Sequence, residues 1–236
     1  MSAGTDGRQP VTSTPMRAAI ARRMVQSKQQ VPHFYVTSEI EVDALMAAAE
    51  RHNEGRTKEQ RATLTAYLLR AVATTLVRHP EFNAVWNGDT LERWDDVNLG
   101  VAIAVDDGLI APALLDCATR DVDDLAMGLG DLTARTRAGR LKAPEMTGAT
   151  FTLSNLGMFE VSQFTAIVTP PQVAILATGR GYERPVVHEG QVVVRRVMQA
   201  TISADHRAVD GAGAASFLGT LKELVEAPGG WAPGAE

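Results

Sequence analysis

Residues 192–211 read VVVRRVMQATISADHRAVDG, and they join a β-branched run to a turn that carries a histidine. Valine and isoleucine dominate residues 192–202, which predicts a strand. An apolar segment with helical spacing follows over residues 211–225 and predicts a helix. His206 lies in the turn between them, at the edge of a sheet where a substrate can reach a side chain. We therefore expect this turn to carry the chemistry of the protein.

Helical and strand patterns follow one another along the rest of the chain without a strict βαβ alternation. The predicted helices cover residues 15–27, 43–52, 64–78 and 121–140, and the predicted strands cover 32–40, 82–86, 90–94, 97–105, 109–115, 150–153 and 173–178. This irregular mixture favours an α/β fold, a two-layer sandwich with a mixed sheet, over a doubly wound parallel sheet. We expect one domain over residues 15–227, between a disordered leader at 1–14 and a flexible tail at 228–236.

Composition and charge exclude several classes of protein. The 236 residues carry a formal net charge of -5, whereas nucleic-acid-binding domains show a basic excess. Cys117 is the only cysteine, which excludes an intramolecular disulfide and a multi-cysteine zinc site. The sequence contains neither a secretory signal nor an apolar run of about 18–20 residues that could span a membrane. We expect a cytoplasmic soluble protein with no metal and no bound cofactor.

His206 is a candidate general base, because imidazole is the side chain best suited to moving a proton near neutral pH. Asp210 follows four residues later and stands next to Gly211. The carboxylate could orient the turn or pair with a cation, and the glycine would permit close packing or unusual backbone angles. The alternative is a polar turn in which Asp210 only caps the following helix.

A second candidate is Ser154, in the segment TFTLSNLGMF over residues 150–159. A hydroxyl at the end of a strand, followed by asparagine and glycine, can donate a hydrogen bond to a developing oxyanion. The alternatives are a Ser-Asn turn without chemistry and a hydrolase in which Ser154 is the nucleophile. The other histidines and the tryptophans are expected to be surface or packing residues.

Six segments together resemble the catalytic domain of the dihydrolipoyl acyltransferases of 2-oxo acid dehydrogenase complexes, which share their fold with chloramphenicol acetyltransferase. The segments are PMRAAIARRMVQSKQQVPHFYVTSEIEV at 15–42, HPEFNAVWNG at 79–88, LGVAIAVDDGLIAPAL at 99–114, TFTLSNLGMF at 150–159, TPPQVAILATGR at 169–180 and SADHRAVDGAGAASFL at 203–218. Each segment is modestly specific by itself, but the six occur in the same order. The resemblance extends over residues 16–225.

The resemblance implies acyl transfer from acetyl-CoA or another acyl-CoA, which would be a co-substrate. His206 would remove the proton of an acceptor thiol or hydroxyl. Ser154 would hydrogen-bond the oxyanion that forms when the acceptor attacks the thioester. Asp210 would pair with an arginine of the N-terminal helix, which we assign to Arg17, with Arg22 as the alternative.

The resemblance also implies a homotrimer with the active site between subunits. His206 and Ser154 would then meet from neighbouring chains, and Gly211 would support the site. The residues expected along the channel for CoA and the acceptor are Asn155, Glu160, Phe164 and Thr165.

Three departures from the family pattern bear on the acceptor. No lipoyl domain precedes Met16, Trp231 is the only bulky apolar residue among the last ten residues, and Glu160 and Thr169 replace a common glycine and asparagine. We therefore expect a stand-alone O-acyltransferase of secondary metabolism that acts on a small-molecule hydroxyl, such as that of a tetronate-type intermediate. One alternative is the dihydrolipoyl acyltransferase core of a 2-oxo acid dehydrogenase complex, acting on a lipoyl thiol and either cut from a longer chain or served by a lipoyl domain in trans. The other is a scaffold that has lost the chemistry.

Overall fold

The computed structural model describes residues 11–235, which form six α-helices and eleven strands. The helices are α1 (Pro15–Gln30), α2 (Asp43–His52), α3 (Leu64–Arg78), α4 (Val122–Arg137), α5 (Ala143–Thr147) and α6 (Gly211–Glu226). The strands are β1 (His33–Glu41), β2 (Ala84–Asn87), β3 (Thr90–Arg93), β4 (Leu99–Val101), β5 (Ile103–Val105), β6 (Gly108–Ile110), β7 (Ala113–Leu114), β8 (Phe151–Asn155), β9 (Ala174–Thr178), β10 (Tyr182–His188) and β11 (Gln191–Asp205).

One seven-stranded sheet organises the fold. Its strand order is β1-β11-β9-β8-β4-β7, and β10 pairs with the first half of β11. Strand β8 runs parallel to β4 and β9, whereas the other pairs in this sheet are antiparallel. The strands β2 with β3 and β5 with β6 form two separate hairpins. The predicted α/β sandwich on a mixed sheet is therefore confirmed.

The two faces of this sheet differ in polarity, because successive side chains of a strand point to opposite faces. One face packs against α3 and α6 and forms the hydrophobic core, whose fully buried members include Ile40, Leu69, Leu153, Leu176, Ile202 and Phe217. The opposite face carries threonine and serine side chains, and residues 156–172 cross it without regular structure. Thr152 Oγ1 donates to Gln172 Oε1 at 2.6 Å, and Ser27 Oγ of α1 donates to the Val168 carbonyl at 2.5 Å. These bonds hold the crossing segment on the polar face.

The structure divides the predicted strand at 97–105 into two. Strand β4 pairs with β8 in the large sheet, whereas β5 pairs with β6 in a hairpin of its own. The division falls at Ala102, whose N–H still donates to the Leu153 carbonyl at 3.2 Å. An apolar run therefore marked the buried segment correctly, but it did not show where the chain leaves the sheet.

The C-terminal residues 228–235 pack against the chain, in contrast to the flexible tail expected at 228–236. Trp231 Nε1 donates to the Leu224 carbonyl at 3.0 Å, and Tyr67 Oη donates to the Pro233 carbonyl at 3.1 Å. Arg51 Nε donates to the Gly234 carbonyl at 2.7 Å. Side chains of α2 and α3 thus hold the tail through its backbone. Most of the leader expected at 1–14 lies outside the described residues, and residues 11–14 are exposed.

The docking of the tail can be tested at Gly234. Its φ of 81° favours glycine, and a Cβ added there would overlap the Ala48 carbonyl oxygen. We expect Gly234→Ala to displace the tail and to expose Trp231, so acrylamide should quench the tryptophan fluorescence more strongly. Gly230→Ala is a matched control, because Gly230 has a φ of 83° but open space around its Cβ. Both substitutions carry a backbone strain of roughly 1–2 kcal/mol. Equal quenching in the two variants would show that the tail is not docked through Gly234.

Candidate active site

His206 is the first residue after β11, and it stands in the turn that leads to α6. Its backbone N–H donates to the Pro32 carbonyl at 3.1 Å, and its ring lies 4.7 Å from the ring of Phe34. The side chain is exposed. Among residues 11–235, no group hydrogen-bonds to either ring nitrogen, so both nitrogens can meet a substrate.

Asp210 caps α6, as in the alternative drawn from the sequence. Its Oδ1 accepts a hydrogen bond from the Gly213 backbone N–H at 2.8 Å. The expected ion pair with Arg17 or Arg22 is not formed between these described residues. The cap aims the carboxylate into the first turn of α6, whereas the Arg17 guanidinium lies near Gly108.

Gly211 begins α6, and a Cβ added to it would meet no atom within 4 Å. The close packing expected of this glycine is therefore not seen within residues 11–235. Its place in the site is only that of the first helical residue after the Asp210 cap.

Ser154 is the penultimate residue of β8 and is half-buried on the polar face of the sheet. Asn155 makes the turn that follows: its Oδ1 accepts from the Gly157 N–H at 2.7 Å, and its Nδ2 donates to Thr65 Oγ1 at 3.1 Å. No hydrogen bond engages the Ser154 hydroxyl within the described part of the chain. The Asn155 side chain therefore stabilises the turn, and the Ser154 hydroxyl can donate a hydrogen bond to a ligand.

The register of the sheet separates Ser154 from His206 within one chain. Ser154 lies opposite Ala177 of β9, which lies opposite Thr201 of β11. His206 is five residues beyond Thr201. At about 3.3 Å per residue and about 4.8 Å between strands, His206 is displaced by roughly 16 Å along the strands and roughly 10 Å across them. One chain therefore does not bring the two side chains to the same carbonyl group.

The four residues expected along the channel occupy different places. Asn155 lines a cavity of about 600 Å³ beyond the ends of β8 and β9, together with Thr65, Arg180 and Tyr182. Glu160 forms an ion pair with Arg180 beside this cavity. Phe164 is half-buried and Thr165 is exposed, and both belong to the segment 156–172 on the polar face of the sheet.

The sequence interpretation missed Asp205 and His33. The Asp205 carboxylate is buried and binds the Arg207 side chain, and this hydrogen bonding raises the pKa of Arg207. His33 Nδ1 lies 2.9 Å from the Val31 carbonyl, and its Nε2 accepts from the Val168 N–H at 3.1 Å. His33 therefore fastens the segment 156–172 to β1. The ADHRA segment at 204–208 was the available signal for Asp205, since the aspartate and the arginine flank the histidine.

Other kinds of chemistry find little support in the described residues. Residues 11–235 hold no cluster of three histidine, cysteine, aspartate or glutamate side chains that could bind a metal ion. None of the helices in this part of the chain has the length and apolar character needed to cross a membrane. Burial raises the pKa of the Cys117 thiol to about 11, so the thiol is a poor nucleophile.

Comparisons with known proteins point to one family. Residues 5–232 match the family of 2-oxoacid dehydrogenases acyltransferase (catalytic domain). The dihydrolipoyllysine-residue acetyltransferase component of the pyruvate dehydrogenase complex of Zymomonas mobilis is 38% identical over 214 residues, which are 90% of this chain and 49% of the relative. The chain thus spans about half the length of such relatives.

Solved structures give the same result for the fold. The dihydrolipoamide acetyltransferase of Azotobacter vinelandii superposes with a TM-score of 0.90 at 30% identity, covering 95% of this chain and 93% of that one. A chloramphenicol acetyltransferase superposes with a TM-score of 0.57 at 16% identity, covering 86% of this chain and 94% of that one. The second similarity shows a shared fold alone.

These relatives contradict the expected stand-alone O-acyltransferase. They are named as acetyltransferase components of the pyruvate dehydrogenase complex, acting on a dihydrolipoyllysine residue, and not as enzymes for small-molecule hydroxyls. The expectation of a small-molecule acceptor was therefore wrong, and the alternative of a dihydrolipoyl acyltransferase fits the relatives.

The raised pKa of Cys117 makes a prediction about labelling. A thiol with a pKa of about 11 is about 0.1% ionised at pH 8, and Cys117 is also fully buried. We expect the folded protein to react with a thiol-exchange reagent at least about 100-fold more slowly than the protein in urea. Rapid labelling of the folded protein at pH 8 would contradict the buried position.

The cap at Asp210 makes a prediction about stability. We expect Asp210→Ala to lower the free energy of unfolding by about 1 kcal/mol, whereas Asp210→Asn should change it by a few tenths of a kcal/mol, because both acidic and amide side chains cap helices. Urea denaturation measures both effects. Asp121→Ala is the matched control, since Asp121 caps α4 by accepting from the Asp124 N–H at 2.8 Å. A loss for Asp210→Asn as large as that for Asp210→Ala would instead point to a role for the charge.

Proposed function

The chain belongs to the family of 2-oxoacid dehydrogenase acyltransferase catalytic domains, and from this membership we propose that it transfers an acyl group between coenzyme A and the thiol of a dihydrolipoyl group. Acetyl is the proposed acyl group, because the relatives are acetyltransferases. The acceptor would be carried by a lipoyl domain.

The spacing of three polar residues is the observation that carries this proposal. In the Azotobacter vinelandii enzyme a serine, a histidine and an asparagine were investigated for their role in the catalytic mechanism, with the serine 52 residues before the histidine and the asparagine four residues after it. Ser154 precedes His206 by the same 52 residues, and Asp210 follows His206 by four. The two side chains that the sequence selects for chemistry therefore correspond in spacing to residues studied in the relative.

The mechanism follows from what these groups can do. A neutral His206 imidazole removes the proton of the dihydrolipoyl thiol, and the resulting sulfur attacks the carbonyl carbon of the acyl-CoA thioester. The Ser154 hydroxyl donates a hydrogen bond to the oxyanion of the tetrahedral intermediate. The intermediate then collapses, the carbon–sulfur bond to CoA breaks, and the CoA sulfur takes the proton back from His206. Base catalysis supplies roughly 10²–10⁴-fold and one oxyanion donor roughly 10²–10³-fold in rate.

The mechanism needs both side chains at one thioester, and the register of the sheet separates them within a chain. A catalytic base must come within hydrogen-bonding distance of the proton it takes. We therefore infer that His206 of one copy faces Ser154 of a second copy, in a homotrimer with three equivalent sites. Such a cyclic assembly repeats the same contact between each pair of neighbours.

The function is tested by acyl transfer from acetyl-CoA to dihydrolipoamide, measured for the wild type, His206→Ala and Ser154→Ala. We expect His206→Ala to lower kcat by about 10²–10⁴-fold and Ser154→Ala by about 10²–10³-fold. Replacing the exposed His188 with alanine should leave the rate unchanged, because His188 pairs with Gln191 at the start of β11 whereas His206 follows the end of that strand. An unchanged rate in His206→Ala would sink the mechanism.

Mixing the two inactive variants tests the site between subunits. In trimers reassembled from equal amounts of His206→Ala and Ser154→Ala, about one quarter of the interfaces combine an intact histidine with an intact serine. We expect about one quarter of the wild-type rate to return, because each such interface is a complete site. A site inside one chain predicts no recovery at all.

A further inference from the structure

His206 stands between two oppositely charged residues that bind each other. The Asp205 side chain is 1% exposed. Its Oδ1 accepts from the Arg207 backbone N–H at 3.0 Å and from Arg207 Nε at 3.0 Å, and its Oδ2 accepts from Arg207 Nη2 at 2.6 Å. Three donors of residue 207 thus close a ring of bonds onto residue 205, and this ring encloses the backbone of His206.

Contacts from other elements hold the same ring in place. The Asp205 N–H donates to the Val173 carbonyl at 2.8 Å. The Arg207 guanidinium lies over the indole ring of Trp86, 5.2 Å from its centroid. Both flanking residues are therefore anchored to the sheet or to the β2–β3 hairpin, whereas the His206 imidazole lies beside the Phe34 ring and remains exposed.

The pair is better suited to fixing the turn than to stabilising the fold. Removing a carboxylate from water is costly, and an ion pair offsets this cost only with good geometry. An ion pair that joins distant elements could raise the cooperativity of folding. Asp205 and Arg207 are only two residues apart in the chain, so their ion pair joins no distant elements. Their mutual bonds constrain little besides the residue between them.

We propose that Asp205 and Arg207 are positioning residues for His206, which fix its backbone and aim its imidazole at the acceptor thiol. This inference rests on the proposed function and adds to it two residues that act through His206. Orientation has large effects in catalysis, since a misplacement of about 1 Å can lower a rate about 10²-fold. The pair therefore acts on the rate through the direction of the base.

The test uses Asp205→Asn and Arg207→Lys in the full chain. The asparagine variant would lose the negative charge and one acceptor oxygen, and the lysine variant would keep the positive charge but lose the fork of the guanidinium. We expect each substitution to lower kcat about 10- to 100-fold while KM for acetyl-CoA changes less than about threefold, because the binding surface is retained. The double variant should lose little more than the worse single variant, because the two residues act as one unit.

Arg135→Lys is a matched control for the loss of a guanidinium fork. Arg135 of α4 binds both oxygens of Glu145, at 2.5 and 2.8 Å, and this pair brackets no candidate site residue. We expect Arg135→Lys to keep the wild-type kcat at a thermal stability similar to that of Arg207→Lys. The proposal is overturned when Asp205→Asn and Arg207→Lys keep kcat within about twofold of the wild type, or when Arg135→Lys loses as much.

Amide hydrogen exchange supplies a measurement that needs no activity. The N–H groups of Ala208 and Val209 donate to the Asp205 carbonyl at 3.0 and 3.1 Å, so their protection reports the order of the turn. We expect faster exchange over residues 205–209 in Asp205→Asn and Arg207→Lys, with no change there in Arg135→Lys. A wild type without acyl transfer would remove the proposed function, whereas unchanged exchange in the two variants would remove the positioning role.

Discussion

The pairing of β11 with its neighbours is the constraint on which the rest of the structure depends. Nine residues of β11 pair with β1, five pair with β9, and its first half also pairs with β10. Side chains alternate along the strand, so Ile202 and Ala204 enter the core while Ser203 and Asp205 face the polar side. A slip of one residue would exchange these sets, and burying the carboxylate in the core would be prohibitively costly. The core therefore fixes the position of the turn that carries His206.

The same register links chemistry to association. Strand β9 lies between β8 and β11 and runs parallel to β8 but antiparallel to β11. The C-terminal ends of β8 and β11 therefore point in opposite directions along the sheet. The proposed base His206 and the proposed oxyanion donor Ser154 therefore lie toward opposite ends of the sheet within one chain. A second copy can bring them together without any change in the fold, so dissociation would abolish turnover while each chain keeps its core. Catalysis in such a protein depends on protein concentration as well as on stability.

Sequence patterns predicted the parts of the fold that depend on burial alone. The apolar runs predicted β4, β9 and β11, and the helical spacing of apolar residues predicted α3 and α6. The position of His206 directly after a strand was also predicted. Strand β10 escaped prediction, because its side chains are mostly exposed and only pairing with β11 makes it a strand. The docked tail also escaped, since two of the hydrogen bonds that hold it are accepted by its backbone carbonyls, which carry no sequence signal. The same distinction applies to the candidate site. His206 and Ser154 could be selected from the sequence because each stands where a strand ends in a turn. The partner of Asp210 and the burial of Asp205 could not be predicted, because they depend on how distant segments pack.

Asp210 was expected to form an ion pair with an arginine of α1, but its carboxylate instead caps α6. The Azotobacter vinelandii enzyme has an asparagine four residues after its histidine, where this chain has an aspartate. Asparagine cannot form an ion pair with an arginine, but both side chains accept the backbone N–H bonds at the start of a helix. A cap at this position therefore does not require a charge, whereas an ion pair with an arginine does. A capped α6 fixes the far end of the turn after His206, and the proposed pair of Asp205 and Arg207 fixes the near end, so the turn is held from both sides.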